Sequence, residues 1–400
     1  MLSTEFVRSQ FPTFSEPSLK GWAFFENAGG SYTCQQVIDR LSRFYHQRKV
    51  QPYAPYPASQ AGGAEMDEAR SRLSAILGVA EDEFSLGPST TANTYVLAQA
   101  FRQHLVNGDK IIVTNQDHEA NSGPWRRLGD EGLTIVEWQV DPETGLLNLD
   151  DLDRLLDDRV KLVCFPHCSN VIGAINPVAE IVAKVHAAGA VTCVDGVSYA
   201  PHGLPDVGAL GADIYLFSTY KTYGPHQGAM VIRRALAERL PNQGHHFNSG
   251  SLEKRFTPAG PDHAQVAACA GIADYLEEVA QSHGLNSAQD VHDLMRLHEI
   301  QLLQPVLDAV SERNSVRLIG PSDATQRAPT VAIDIGRPAE PVAKALAAHK
   351  IMAGGGDFYA GRVLDAVGVK PENGVLRLSF VHYTTQAEID QLLTALDDVL

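Results

Sequence analysis

Cysteine is scarce: Cys34, Cys164, Cys168, Cys193 and Cys269 are odd in number and scattered over 400 residues. That distribution fits a reducing cytoplasm and argues against a disulfide framework. Cys164 and Cys168 stand four apart, but Cys164 lies in an apolar run and no further Cys or His pair completes a zinc pattern. Hydrophobic runs are short as well. None approaches the ~18–20 residues that span a bilayer, and Met1-Leu-Ser-Thr-Glu-Phe-Val-Arg8 lacks the basic start and apolar stretch of a secretory signal. Basic residues are outnumbered, 32 Lys and Arg against 48 Asp and Glu, for a net charge of −16. So acidic a chain gains nothing from counterion release, which disfavours nucleic acid or an anionic membrane as partner. No internal repeat or low-complexity stretch is present. The expectation is a cytoplasmic globular protein.

Four hundred residues exceed one small core, and 44% hydrophobic with 20% charged residues is a globular composition. From about residue 80 to 235, short apolar runs alternate with helical stretches. Strands are predicted at Ile111–Val113, Thr134–Val136, Leu162–Phe165, Val191–Val194, Ile214–Phe217 and Ala229–Ile232. A helix is predicted over Val178–His186, with Pro177 in its first turn, Asn176 as its cap and Gly189 just past its end. This alternation implies an α/β fold with a mostly parallel sheet, whose ligands bind outside the carboxyl ends of the strands. Beyond residue 260 the texture changes. A helical stretch over His263–Ala280 is followed by a capping box at Ser287-Ala-Gln-Asp290 and a helix through Val310. Strands near Ser315–Leu318, Thr330–Ile335 and Val375–Phe380 then alternate with helices at Pro341–His349 and after Thr385. The expected organisation is a large domain over 21–260 and a smaller α+β domain formed by 1–20 and 261–400.

Chemistry concentrates at strand ends. Lys221 lies in Phe217-Ser-Thr-Tyr-Lys-Thr-Tyr-Gly-Pro225, directly after an apolar run, and Asp195 ends another such run 26 residues upstream. A lysine and a carboxylate so placed are what pyridoxal 5'-phosphate (PLP) requires. The amine forms a Schiff base with the aldehyde, and the carboxylate keeps the pyridine nitrogen protonated. Taken singly, each residue also reads as an ordinary surface Lys or a satisfied buried Asp. Gly87-Pro-Ser-Thr-Thr-Ala-Asn93 opens a helical stretch, and Ser89, Thr90 and Thr91 offer hydroxyls and free N–H groups to a phosphate, or simply cap a helix. Ser218 and Tyr220 add hydroxyls beside the lysine. In Asp117-His-Glu-Ala-Asn121, His118 either stacks on a planar cofactor and relays protons or bridges loop backbone. Asn170 either tunes the cofactor's phenolic oxygen or fills a turn. Arg377, within the apolar strand Leu376-Arg-Leu-Ser-Phe380, suits a substrate α-carboxylate or a structural ion pair. Asn27, Ala28 and Gly29, after the run Ala23-Phe-Phe25, border a substrate pocket or form a turn.

In this order the motifs resemble the class V aminotransferases, a family of fold-type I PLP-dependent enzymes, most nearly their cysteine desulfurase branch. The resemblance covers nearly the whole chain. It rests on Asp117-His-Glu-Ala-Asn121, His167-Cys-Ser-Asn-Val-Ile-Gly173, Asn176-Pro-Val178, Val194-Asp-Gly196 and Phe217–Pro225. It implies a seven-stranded sheet and a homodimer with sites near the subunit interface. It also implies Lys221 as the Schiff-base lysine, Asp195 at the pyridine nitrogen, His118 over the ring and Asn170 near the phenolic oxygen. Ser89, Thr90, Thr91 and Ser218 would surround the phosphate, and Arg377 would take the substrate carboxylate. Ser198 stands where many relatives have Gln, and Tyr220 where they have His. The larger departure is Ile351-Met-Ala-Gly-Gly-Gly-Asp-Phe-Tyr-Ala360, where desulfurases carry a sulfur-accepting cysteine and this chain has none. The three glycines suggest a flexible or closely packed loop over the site, or a fixed turn against the cofactor, with Asp357, Phe358 and Tyr359 near substrate. The expected function is a PLP enzyme for a small amino acid, of the C–S or β-elimination lyase type without persulfide relay. Aminotransferase, epimerase and non-catalytic scaffold are the alternatives.

Overall fold

The computed structural model describes residues 1–400. Seven strands form the central sheet: β1 (Phe84–Gly87), β2 (Lys110–Thr114), β3 (Thr134–Trp138), β4 (Val160–Pro166), β5 (Val191–Asp195), β6 (Ile214–Ser218) and β7 (Gly228–Ile232). Their order is β1-β7-β6-β5-β4-β2-β3, and only β7 runs antiparallel to its neighbours. Residues of β4 through β7 are almost all fully buried because helices cover both faces, which is why these runs are continuously apolar instead of alternating. Trp138, Val163, Phe165, Val194, Tyr215 and Phe217 face one core cluster, and Ile111, Leu162, Ile214, Leu216 and Met230 face another.

The six predicted strands are present. β1 was not foreseen: Phe84-Ser-Leu-Gly87 is short and reaches the sheet only by pairing with β7. The helix Val178–Ala187 also forms, but Asn176 does not cap it. Its side-chain amide instead donates to Pro166 O and Gln116 Oε1, both at 2.7 Å, tying the end of β4 to the loop after β2.

A second sheet follows, built from β8 (Arg317–Ile319), β9 (Thr330–Asp334), β10 (Gly354–Gly356) and β11 (Val375–Ser379) in the antiparallel order β10-β11-β9-β8. Helices Ala288–Ser311, Glu340–Ala348 and Gln386–Val399 supply Leu303, Val306, Leu346 and Leu392 to a core shared with Ile333, Leu376 and Leu378. The capping boxes at Ser287 and Thr385 both form. Residues 354–356 are therefore neither a flexible loop nor a turn but a strand, with Gly354 opposite Arg377.

The expected boundary at residue 260 falls inside a packed unit. The helical stretch from His263 breaks at Cys269 into His263–Ala268 and Ala270–His283, and Ala264, Ile272 and Tyr275 pack in the core of the large sheet. Leu2, Val7 and Phe11 join that same core, while Arg8 reaches Glu388 at 2.9 Å. Conversely, Ala23–Phe24 pairs in parallel with Ile351–Met352, and Phe25 lies in the second core.

Candidate active site

Five strands of the large sheet deliver their carboxyl ends to one place. β6 ends at Ser218 and tightens into a single 3₁₀ turn, Thr219–Lys221. Thr219 N–H donates to Gln227 O and Thr222 Oγ1 donates to Thr219 O, so the turn is held from both sides. Lys221 is thereby buried, with its amine in no hydrogen bond or ion pair with protein. Burial, reinforced by the Arg377 charge, pushes its pKa down to about 8. Asp195 ends β5, also buried. Burial raises it to about 6 against the hydrogen bond from Val197 N–H (2.9 Å) and the Lys221 charge.

Beyond β2, the His118 imidazole sits at the N-terminus of the helix Glu119–Arg126, where Nδ1 accepts from Ala120 N–H at 3.0 Å. That bond fixes the ring and leaves the proton of neutral imidazole on Nε2. Burial and the charges of Lys221 and Arg377 lower its pKa to about 4. The backbone-bridging reading of His118 holds, and the same residue lines a cavity with Lys221. Asp117 is enclosed by Thr114 Oγ1 and Asn121 Nδ2 (2.5 and 2.8 Å), and burial raises it to about 8.

Around these residues Thr90, Thr91, Asn170, Ser198, Ser218 and Tyr220 line one cavity with His118, Asp195 and Lys221. Thr90 Oγ1 and Ser218 Oγ lie 2.7 Å apart at its end, beside the first-turn N–H groups of the helix Thr90–His104, which have no intrahelical acceptor. Ser89 is the exception among the predicted cofactor-binding residues. Its hydroxyl caps that helix by accepting from Ala92 N–H at 3.1 Å. The Tyr220 ring is stacked 4.7 Å from His226. Asn170 donates its amide to Phe358 O at 2.9 Å, leaving Oδ1 buried without a partner.

The opposite wall comes from the second sheet and the N-terminal segment. Arg377 is 3% exposed, donates from Nη1 to Asn170 O at 3.1 Å, and pairs through Nη2 with Glu26 Oε1. Its guanidinium lies 3.7 Å over the Phe358 ring. Asn27 and Ala28 line a small adjoining cavity with Ser198 and Lys221. The Asn27 side chain is committed elsewhere, donating to Phe24 O and Ser379 O and accepting from Tyr383 Oη. Gly29 and Gly30 close a turn through N–H bonds to Glu26 O and Asn27 O. Phe358 and Tyr359 hold φ of 52° and 58°, a left-handed conformation that L-residues adopt at a cost. Tyr359 O accepts from Glu119 N–H at 2.8 Å, and its ring centroid is 5.4 Å from His118. Glu26 is the residue that sequence reasoning missed. The available signal was an acid closing the run Ala23-Phe-Phe25, much as Asp195 closes β5.

All five cysteines are buried and free. Burial pushes the thiols of Cys34, Cys168 and Cys269 up to about 12, and Cys164 faces Cys193 across β4 and β5.

A parallel sheet that presents a desolvated lysine and a strand-terminal carboxylate to one cavity is the architecture of fold-type I PLP-dependent enzymes. The chain belongs to the class-V aminotransferase family, whose model matches residues 23–392, and it is a PLP-dependent enzyme. Over 412 residues it is 32% identical to the aminotransferase-like protein FGM3 of Gibberella zeae, covering 100% of this chain and 98% of that one. It is 30% identical to a cysteine desulfurase of Serratia proteamaculans, over 99% of this chain and 98% of the other. Among solved structures, the apo cysteine desulfurase of Thermococcus onnurineus superposes with a TM-score of 0.88 at 25% identity, covering 100% of this chain and 99% of that one.

Proposed function

We propose that the protein is a PLP-dependent lyase that eliminates a β-substituent, sulfur-bearing ones included, from a small amino acid without parking sulfur on a protein thiol. The observation that carries this reading is the state of segment 351–360. Where a desulfurase has a thiol on a mobile loop, this chain has the strand β10 pinned to Arg377's own strand, and every cysteine lies buried elsewhere.

The cofactor fits the residues present. Lys221 has no protein partner, Asp195 has a carboxylate oxygen to spare, and the Thr90–Ser218 hydroxyls with the adjoining helix N-terminus suit a phosphate. Bound PLP supplies the electron sink that lets a substrate Cα–H bond ionise. Lys221 holds and returns the proton at Cα, which its lowered pKa favours near neutral pH. Asp195 would hold negative charge toward the cofactor's ring nitrogen, His118 would cover the cofactor as a neutral imidazole, and Arg377 would bind the α-carboxylate. The overall change would remove the Cα proton and the β-substituent with its electron pair and, with water, release a 2-oxo acid and ammonia. A homodimer completes this reading. Exposed Tyr53 and Phe247 border a cleft lined also by Phe84, His263 and Val266.

The test is absorption spectroscopy of the holoenzyme with a panel of amino acids, cysteine included, while 2-oxo acid, ammonia and the leaving group are assayed. Recovery of the starting spectrum with all three products accumulating is expected. Stoichiometric bleaching without ammonia would replace the lyase by an aminotransferase. Racemisation without products would indicate an epimerase, and no chromophore after reconstitution would leave a scaffold.

A further inference from the structure

Arg377 already has a carboxylate. Glu26 Oε1 occupies Nη2, the nitrogen common to both two-nitrogen faces of the guanidinium fork. Nη1 is bound to Asn170 O, and Phe358 covers one face of the plane. The pair nevertheless has the marks of an unfinished contact. Glu26 Oε2 and Arg377 Nε are both buried and both without a partner, whereas a purely structural Arg–Glu pair at this depth would close the fork with both oxygens. The two orphans are an acceptor and a donor awaiting other groups.

The Glu26 carboxylate sits where two glycines make room for it. A Cβ at Gly354 would come within 2.7 Å of Glu26 Oε2 and 2.9 Å of the Phe358 ring, and one at Gly29 within 3.2 Å of Oε1. Gly354 carries no positive φ, so its backbone does not require glycine; the room it leaves for the carboxylate does. Glu26 itself is 29% exposed at its side chain and lies on the Ala23–Gly30 segment, not on a sheet buried from both sides. It can leave Arg377 more cheaply than Arg377 can leave Asn170 and Phe358.

We infer that Glu26 is a displaceable counter-ion for Arg377, competing with the substrate carboxylate and so setting how tightly, and how selectively for carboxylates, an amino acid is held. This rests on the reading that Arg377 takes the α-carboxylate. In the resting site Glu26 neutralises a guanidinium that would otherwise be buried unpaired. On substrate arrival it yields Nη2. Glu26 acts through Arg377 and is a positioning residue.

The experiment compares the holoenzyme's affinity for 2-methylalanine, which has no Cα proton to lose, with that for 2-methylalaninamide, which has no carboxylate. Their ratio isolates carboxylate recognition. Glu26→Gln is expected to raise the preference for the acid about tenfold by removing the competing charge, with the amide little changed. Glu26→Asp keeps the charge, shortens its reach, and is expected to move the ratio the same way by less; it serves if Glu26→Gln does not fold. A ratio that stays put or falls in the Glu26 variants, while Arg377→Gln collapses it, overturns the inference and leaves the site reading standing. A ratio indifferent to Arg377→Gln overturns both.

Discussion

The two walls of the cavity are built on different principles. The wall from the large sheet is a set of strand ends. Lys221, Asp195 and His118 are held by backbone hydrogen bonds and by burial, and their charge states are shifted by desolvation: the lysine down, the aspartate up, the imidazole down. The wall from the second sheet is a set of provisional contacts. Arg377 leans on Glu26 and Phe358, Asn170 spends its amide on Phe358 O, and two consecutive residues sit at positive φ. On the proposed reading, desolvation pre-organises the first wall for proton transfer, whereas the second stores partners that a substrate would replace. Chemistry is fixed and recognition is exchangeable.

Lys221→Ala tests the first wall most severely. It is expected to abolish the covalent chromophore and to lower turnover by ~10⁴-fold, read by absorbance and product assay, with circular dichroism unchanged. Asp195→Asn should keep the fold and lower turnover by ~10²-fold or more. The second wall should respond in binding instead. Arg377→Lys is expected to raise KM by roughly tenfold, because a point charge cannot replace the fork, with kcat changed less. Equal losses in kcat and kcat/KM would dissolve the distinction between the walls.

A pH series sharpens the contrast. Attack on an aldehyde needs a neutral amine, and burial favours that form of Lys221. Reconstitution of cofactor-free protein with PLP should therefore accelerate through a midpoint near pH 8, not near the 10.5 of an ordinary lysine, as followed by growth of the visible band. The smallest effect belongs to Tyr359→Gly. Relief of a left-handed φ and loss of the contact with His118 oppose each other, so stability should change by no more than ~1 kcal/mol in denaturant titration.

The first wall was legible in the sequence because its determinants are local. An apolar run of β-strand length that ends in Asp, or is followed within a few residues by Lys, places that residue at or beyond the carboxyl end of a strand whatever the neighbouring strands do. The second wall was not, because its determinants are pairings. Gly354–Gly356 reads as a loop by composition and becomes a strand only by lying against β11. Arg377 was visible as a charge in an apolar strand, but its partner Glu26 is 351 residues away. Asn27 and Asn170 read as turn residues and Asn176 as a helix cap, yet each amide is committed to a different backbone carbonyl. The break at Cys269 and the packing of Phe11 against Tyr223, Tyr275 and Tyr383 likewise depend on what the chain meets after it has folded back.

The segment Ala23–Gly30 gives the molecule a direction in time. Ser31 N–H and Cys34 N–H donate to Tyr220 O and Tyr223 O beside the lysine turn, and Phe25 and Asn27 bond to Ser379 at the far end of the chain. On the ribosome the strands that carry Lys221 and Asp195 are complete once residue 232 has emerged, but the first thirty residues must wait for residue 379 to find their second set of partners. Closing so long a loop is slow. The strands that carry the lysine are thus synthesised before the arginine that faces it.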